Sequence, residues 1–354
     1  MGLIYQKIFK PILFKQEPEH AHEIGILTLK ILGDLGPITR IMEAYNKTSM
    51  RPIEVFGVKF PNHVGIAAGF DKNALCFKTA GALGFGHIEI GTVTFHRQDG
   101  NSTPRIIRVP KEEAIINRMG FNNDGAKIIA ERLAKTYSKN QKYTIPLGIN
   151  IGKSKITSIE EAENDYVGSF NLLANYADYF TINVSSPNTL GLRELQGKER
   201  LKSLLKALKS ANIEHAKKNN SKPIPMLIKI APDLTFPQID SILEIIQDLN
   251  FSGIVATNTT LQRPGNLAKI DYAGGLSGKP LHRFSLDIVK YIYLKTSGKL
   301  PIIGVGGIMN TKSAGQMIDA GASLLQIYTG LIYKGPFLGK EIARSLSWRN
   351  RNWI

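Results

Sequence analysis

From about Arg51 onward, short apolar runs end in small or polar residues and are each followed by a segment of helical periodicity. That βα alternation restricts the chain to parallel-sheet architectures, because parallel strands need a long crossover that is usually a helix. Eight runs read as strands: His63–Ala67, Gly86–Ile90, Ile145–Asn150, Tyr179–Asn183, Met226–Ile230, Gly253–Thr257, Pro301–Val305 and Ser323–Ile327. Eight units in about 300 residues fit a closed α/β barrel, the (β/α)8 TIM barrel, better than an open doubly wound sheet. Insertions are expected at Gly91–Asn123 and Thr259–Gly278, where the spacing between runs is too long for a simple crossover.

The first 48 residues have a different character. Ile4, Ile8 and Ile12 recur at helical spacing, with Pro11 expected to end or bend that helix. After Pro18 a second stripe holds Ile24, Leu27 and Ile31; Gly33 and Gly36 before Pro37 are read as its stop, and a short third segment spans Ile38–Tyr45. The expected division is therefore an N-terminal helical extension, residues 1–48, and a barrel domain, residues 49–354. The extension reads either as a hairpin packed on the barrel or as an interfacial lid that enters a membrane surface. No run approaches the ~18 apolar residues of a membrane-spanning helix, and no signal-peptide pattern is seen.

Charge narrows the partners without choosing among them. The net charge of +16 fits a nucleic acid, an anionic lipid surface or an acidic small substrate. The densest basic stretch, Lys198–Lys222, lacks the interleaved aromatics that stack on bases and reads as a solvated helix face. The lone cysteine, Cys76, excludes an internal disulfide framework, and no His/Asp/Glu cluster has metal-ligand spacing, so neither metal nor nucleic acid is expected.

In a barrel of this kind the chemistry sits just after each strand. Here those positions carry Ala68-Gly69-Phe70-Asp71-Lys72, Thr92, Asn150, Asn183 to Thr189, Lys229, Thr257-Asn258-Thr259, Gly304 to Gly307, and Tyr328-Thr329-Gly330. Repeated asparagines offer uncharged donors and acceptors, which suits a planar heterocycle such as a pyrimidine or a flavin. Two lysines beside many amides read as anion or oxyanion partners, and the glycines after the seventh and eighth strands read as a phosphate cradle.

Five motifs make the likeness specific: Ala-Gly-Phe-Asp-Lys (68–72), Asn-Arg-Met-Gly-Phe-Asn-Asn (117–123), Asn-Val-Ser-Ser-Pro-Asn-Thr (183–189), Gly-Gly-Leu-Ser-Gly (274–278) and Gly-Val-Gly-Gly-Ile (304–308). In these, and in their order along essentially the whole chain, the sequence resembles the dihydroorotate dehydrogenases. The N-terminal extension and a serine at 186, where the soluble class 1 enzymes use cysteine, resemble the membrane-associated, quinone-using class 2. The resemblance implies FMN, held by Ala68, Gly69, Phe70, Asp71, Lys72, Thr92, Asn150, Asn183, Lys229, Thr257, Gly278, Gly307, Tyr328 and Thr329. It implies dihydroorotate, later orotate, held by Lys72, Asn117, Asn183, Asn188, Asn258 and Thr259, beside a loop of Arg118, Met119, Gly120 and Phe121.

Ser186 is then implied to be the base, with Thr189 as candidate partner in a proton relay and Phe121 as the shield over it. Lys229 would face the flavin N1/O2 edge. His22, Arg108 and Tyr328 match the end of the tunnel where a membrane quinone arrives. The implied activity is oxidation of dihydroorotate in de novo pyrimidine (UMP) biosynthesis, by a peripheral protein on an anionic membrane at the cytoplasmic face of the cell's inner membrane. A mitochondrial inner membrane is less favoured, since neither a transit peptide nor a transmembrane helix is seen. The rival readings are another FMN barrel oxidoreductase acting on a pyrimidine, and a basic nucleic-acid-binding protein. The stretch Phe95–Asp99 is more polar than the proline-bearing version associated with the family.

Overall fold

In the computed structural model, residues 2–46, 52–137, 144–189 and 191–349 are described. A hairpin of β1 (Ile53–Val55) and β2 (Val58–Phe60) precedes the barrel. The barrel strands are β3 (Val64–Ile66), β4 (His87–Val93), β7 (Leu147–Ile151), β8 (Tyr179–Asn183), β9 (Met226–Ile230), β10 (Gly253–Ala256), β12 (Ile302–Val305) and β13 (Leu324–Ile327). They pair in parallel around a closed ring in chain order, β13 returning to β3. All eight coincide with the runs read from the sequence. The ends shift by a few residues, most at β4, which continues through Gly91 and Thr92 to Val93. Every residue of these strands is buried, so each reads as a predominantly apolar run, as a strand covered on both faces does, with single polar residues such as Glu89, Thr181, Lys229 and Gln326 set into it.

The outer ring holds α5 (Ala126–Tyr137), α6 (Ala162–Leu173), α7 (Lys198–Lys218), α8 (Phe236–Leu249), α9 (His282–Lys295), α10 (Thr311–Asp319), α11 (Thr329–Lys334) and α12 (Leu338–Arg349). The basic helix α7 buries Leu201, Leu204, Leu205 and Leu208 at helical spacing. Its Lys198 and Lys202 reach Glu244 and Asp248 of α8 at 2.9 and 3.5 Å, and its Arg200 reaches Glu194 at 3.1 Å, as a solvated face with paired charges would.

Both expected insertions carry strands of their own. β5 (Ile106–Val109) and β6 (Ala114–Asn117) come from the first, and β11 (Gly275–Gly278) from the second. They form one antiparallel sheet in the order β11-β6-β5, with Leu276 opposite Ile116 and Ile107 opposite Ile116 on the other side. The two insertions thus support each other. The stretch Phe95–Asp99 is pinned to the same structure: Gln98 exchanges backbone hydrogen bonds with Asn123, and its Nε2 donates to the Gly120 carbonyl at 2.8 Å.

The extension comprises α1 (Gly2–Ile4), a π-helical turn over Tyr5–Phe9, α2 (Lys10–Lys15), α3 (Pro18–Asp34) and α4 (Gly36–Asn46). Two expectations need correction. Pro11 does not end the first helix, because it sits at the second position of α2 directly after the π turn, where its missing N–H costs least. Gly33 and Gly36 do not stop the second, since α3 runs through Gly33 to Asp34 and Gly36-Pro37 opens α4. The expected domain boundary at residues 48/49 lies outside the described residues. Ile26 is buried and Leu29 packs on the core, whereas Ile8, Ile12, Leu27 and Ile41 are more than half exposed.

Phe180 of β8, fully buried with its ring 5.1 Å from that of Phe170 in α6, joins barrel to helix layer. Phe180→Ala should lower unfolding free energy by about 3–5 kcal/mol, read from denaturant midpoints at unchanged slope.

Candidate active site

The strand ends, the insertion sheet and the extension enclose one cavity of about 680 Å3. Of the residues singled out from the sequence, Ala68, Gly69, Phe70, Lys72, Thr92, Asn117, Met119, Gly120, Phe121, Asn183, Ser186, Asn188, Lys229, Thr257, Asn258, Thr259, Gly278, Gly307, Tyr328 and Thr329 stand on its wall, with His22 and Arg108. Three do not. The Asp71 carboxylate turns away and accepts the backbone N–H groups of Leu75 and Cys76, both at 2.8 Å, bracing its own loop. Arg118 reaches outward to the Pro104 carbonyl at 3.0 Å and lies over the Tyr272 ring. Asn150 stands one layer behind the wall, holding residues that line it.

That layer is a continuous polar network. Asn150 donates to Glu89 at 2.8 Å and accepts from Thr92 Oγ1 at 2.6 Å; Asn183 donates to Thr92 Oγ1 at 2.9 Å and to Asn150 Oδ1 at 3.2 Å. Asn183 Oδ1 in turn accepts from Ser185 Oγ at 3.2 Å and Asn258 Nδ2 at 3.4 Å. The network ends on Glu89, whose other oxygen accepts from Thr181 and Gln326, both at 2.9 Å. Glu89 was missed in the sequence reading, although a single acid inside the apolar run His87-Ile88-Glu89-Ile90 is a visible signal. Burial lowers the proton affinity of Lys229, and the Glu89 charge acts against that fall.

The Ser186 loop and the insertion face each other across the cavity. Asn188 Nδ2 donates to Asn117 Oδ1 at 3.3 Å, and the Asn188 backbone N–H donates to Ser186 Oγ at 3.2 Å. Ser186 is 5% exposed, and Thr189 Oγ1 is buried without a hydrogen-bond partner among the described residues. Phe121 adopts φ +55°, held by the neighbouring Asn123 side chain, which donates to the Phe121 carbonyl at 2.7 Å. Lys72 is pushed down to about 8, first by burial, against the raising influence of Glu19.

On the opposite wall Gly307 has φ +62°, and a Cβ there would lie 2.6 Å from the backbone nitrogen of His282. Only glycine meets both constraints, which brings the turn after β12 close to the start of α9. Gln326 Oε1, also on the wall, is buried and unpartnered.

A profile of the family described as "Dihydroorotate dehydrogenase" matches residues 50–349. The chain belongs to the dihydroorotate dehydrogenase family. It is 46% identical to the "Dihydroorotate dehydrogenase (quinone)" of Natronomonas pharaonis, the match covering 98% of this chain and 94% of that protein. It is 45% identical to the protein of the same name from Chloroflexus aurantiacus, over 98% and 96%. Among solved structures, the ligand-free DHODH of Eimeria tenella superposes with a TM-score of 0.81 at 35% identity, covering 95% of this chain and 96% of that one. The same enzyme in complex with ferulenol gives 0.80 at 34% identity, over 92% of each chain. The family is one of flavoproteins.

Towards the mouth the lining turns apolar, with Phe9, Leu13, Phe14, Leu29, Leu32 and Phe337. The His22 ring meets Phe70 edge-on at 5.4 Å, and Phe70 meets Tyr328 at 6.3 Å. Burial, then the nearby Lys72, presses His22 down to about 3, so its imidazole is neutral. Arg108 donates to the carbonyls of Leu13 and Gln16 and stacks over Phe14 at 4.7 Å, capping the end of α2 at the mouth. Tyr5 and Gln6 tie the first helix to the Ile332 and Tyr333 carbonyls at 2.6 and 2.7 Å.

Glu89→Gln returns two donors to a site that already supplies donors from Asn150, Thr181 and Gln326. The variant should lose about 2–3 kcal/mol of stability, measured by chemical denaturation, because a buried hydrogen-bonded charge is replaced by a mismatched amide.

Proposed function

We propose that this protein oxidises dihydroorotate to orotate with FMN as hydride acceptor and a membrane quinone as the final electron acceptor. The observation that carries the reading is the single cavity: Ser186, Lys72 and the Asn117–Asn188 pair share it with the glycine turns after β12 and at Gly278, and it continues into an apolar mouth between the extension helices.

The residues present fit FMN. The unpartnered Gln326 Oε1 offers a buried acceptor to a ring N–H, Lys229 offers a buried cation to the N1/O2 edge, and the loops of Gly278, Gly307 and Thr329 offer backbone donors to the phosphate. When bound, the flavin takes the hydride from C6 of the substrate.

The chain's own residues do the rest. Lys72 and the asparagines 117, 183, 188 and 258 hold the carboxylate and the ring amides. Ser186 Oγ takes the proton from C5. An unperturbed hydroxyl is a weak base, so its proton must pass on as it accepts the new one. Thr189 Oγ1, buried and unpartnered three residues along the same loop, is the group to receive it. The Asn188 N–H directed at Ser186 Oγ favours developing negative charge there. Phe121 excludes bulk water from the path.

Docking on an anionic membrane follows from the outer face of the extension. Among the described residues, eleven of the nineteen exposed large apolar side chains fall within residues 2–46, a segment about an eighth of the chain long. No helix of the described residues is long and apolar enough to cross a membrane. The extension's own charge is nearly balanced, six Lys+Arg against five Asp+Glu through Met50, so apolar area leads and the chain's +16 assists.

Ser186→Ala should keep FMN and orotate binding and slow anaerobic flavin reduction by about 10²- to 10⁴-fold, measured by stopped flow. A near wild-type rate would overturn the assignment of the base. The double variant Ile12→Glu/Leu27→Glu, at side chains 58% and 57% exposed, should leave flavin reduction intact. Its sedimentation with anionic liposomes and its turnover with long-chain quinone should both fall at least about tenfold, because charge replaces the apolar contact.

A further inference from the structure

The helix that borders the mouth also reaches the substrate end of the cavity. Glu19, in the first turn of α3, receives a two-pronged contact from Arg105 of the first insertion: Nη2 to Oε1 at 2.6 Å and Nε to Oε2 at 2.9 Å. Both side chains are nearly closed to solvent, 11% and 13% exposed, a setting in which such a fork is strong and geometrically specific. The third arm of Arg105 donates to the carbonyls of Asp99 and Asn101 at 2.6 and 2.8 Å. Asn101 carries the connection onward. Its backbone N–H donates to Met119, and its Nδ2 donates to the carbonyls of Arg118 and Asn188 at 2.9 and 3.2 Å. Arg118 N–H closes the circuit on the Arg105 carbonyl at 2.8 Å.

We propose that Glu19 is a positioning residue of the dihydroorotate site: by fixing Arg105 it sets the Asn117–Phe121 loop and the Asn188 end of the Ser186 loop, and its charge faces Lys72. The inference rests on the reading of Lys72 and that loop as the substrate site. It makes the extension part of the substrate half of the cavity as well as its mouth.

The charges around Lys72 come from three sides: Glu19, Glu23 and the neutral His22 on α3, Arg105 on the insertion, and Asp71 beside it in the chain. Burial holds Lys72 down to about 8, and Glu19 is the foremost group opposing that fall while Arg105 adds to it. Without the Glu19 charge, only the smaller influences of Asp71 and Glu23 oppose burial and Arg105, and the ammonium releases its proton earlier. A protonated Lys72 holds a carboxylate and a neutral one does not, so substrate affinity must fall as pH rises through the Lys72 value. In a Glu19 variant that fall begins at lower pH.

The test uses the full-length, FMN-loaded protein carrying Glu19→Gln, with the dihydroorotate Kd taken from the concentration dependence of anaerobic flavin reduction and no quinone present. The Kd should rise about tenfold at pH 7 while the limiting reduction rate stays within about threefold, since orientation and charge at the carboxylate are lost but Ser186 is not. The pH at which Kd begins to climb should move down. Glu19→Asp, which keeps the charge on a shorter arm, should retain the wild-type pH dependence and show only part of the rise in Kd. A purely structural role predicts equal effects of both variants on flavin content and none on the pH profile. Unchanged Kd and pH dependence in Glu19→Gln overturn the proposal; if that variant does not hold FMN, an unchanged Kd in Glu19→Asp overturns it. Lys72→Ala separates the two readings: if it too binds dihydroorotate normally, the placement of the substrate is wrong, whereas its failure beside a normal Glu19→Gln rejects the role of Glu19 alone.

Discussion

The buried carboxylate of Glu89 organises the interior of the barrel. Closing eight parallel strands leaves their inward side chains in a space without water, where every polar group needs a partner. Glu89 is acceptor-only, and it collects donors from β7, β8 and β13 through Asn150, Thr181 and Gln326. Each donor is thereby turned, and with Asn150 fixed, Thr92 and Asn183 have one arrangement left. The asparagines at the rim are therefore held by a charge beneath them. Lys229, buried in β9, is the counter-charge whose ammonium form this carboxylate favours.

The barrel was legible because its signal is local. A strand covered on both faces is apolar along most of its length, so Leu227–Ile228 or Ile302–Val305 announces itself without reference to neighbours. The rim residues were legible by position, and five long motifs carried the resemblance that gave them roles. What escaped depends on partners far along the chain. β5, β6 and β11 are short, and each finds its hydrogen bonds only on another insertion, Leu276 on Ile116 across some 160 residues. Asp71 was drawn into the site by its motif, but backbone N–H groups at 75 and 76 claim its carboxylate. Arg105 and Glu19 look like ordinary surface charges until the fold places them 86 residues apart in sequence and in contact.

The extension shows the same limit in another form. Helical spacing of Ile4, Ile8 and Ile12, or of Ile24, Leu27 and Ile31, marks an apolar stripe but does not say what the stripe faces. In the fold Ile4, Ile8, Ile12, Leu27 and Ile31 are exposed and Ile24 borders the cavity, while Ile26 and Leu29 turn inward to the core. The periodicity alone leaves packed hairpin and membrane lid equally open; the outward exposure is what favours the lid. Proline misleads at this end because it is accommodated in the first turn of a helix, where Pro11 and Pro37 sit.

One cavity must serve two kinds of traffic. On the proposed reading, a proton leaving the Ser186 end would need hydroxyls and amides, and a lipid-soluble acceptor would need apolar walls. The lining separates them. Polar groups from Asn117, Asn188 and Asn258 gather at the insertion side, and Phe9, Leu13 and Leu32 gather at the mouth. Between these ends the rings of His22, Phe70 and Tyr328 meet edge to edge, and both titratable members are held neutral at physiological pH, His22 low and Tyr328 raised to about 12 by burial. Since α3 supplies His22 to that layer and, three residues earlier, Glu19 to Arg105 of the first insertion, a shift of this one helix is felt at both the mouth and the insertion side of the cavity.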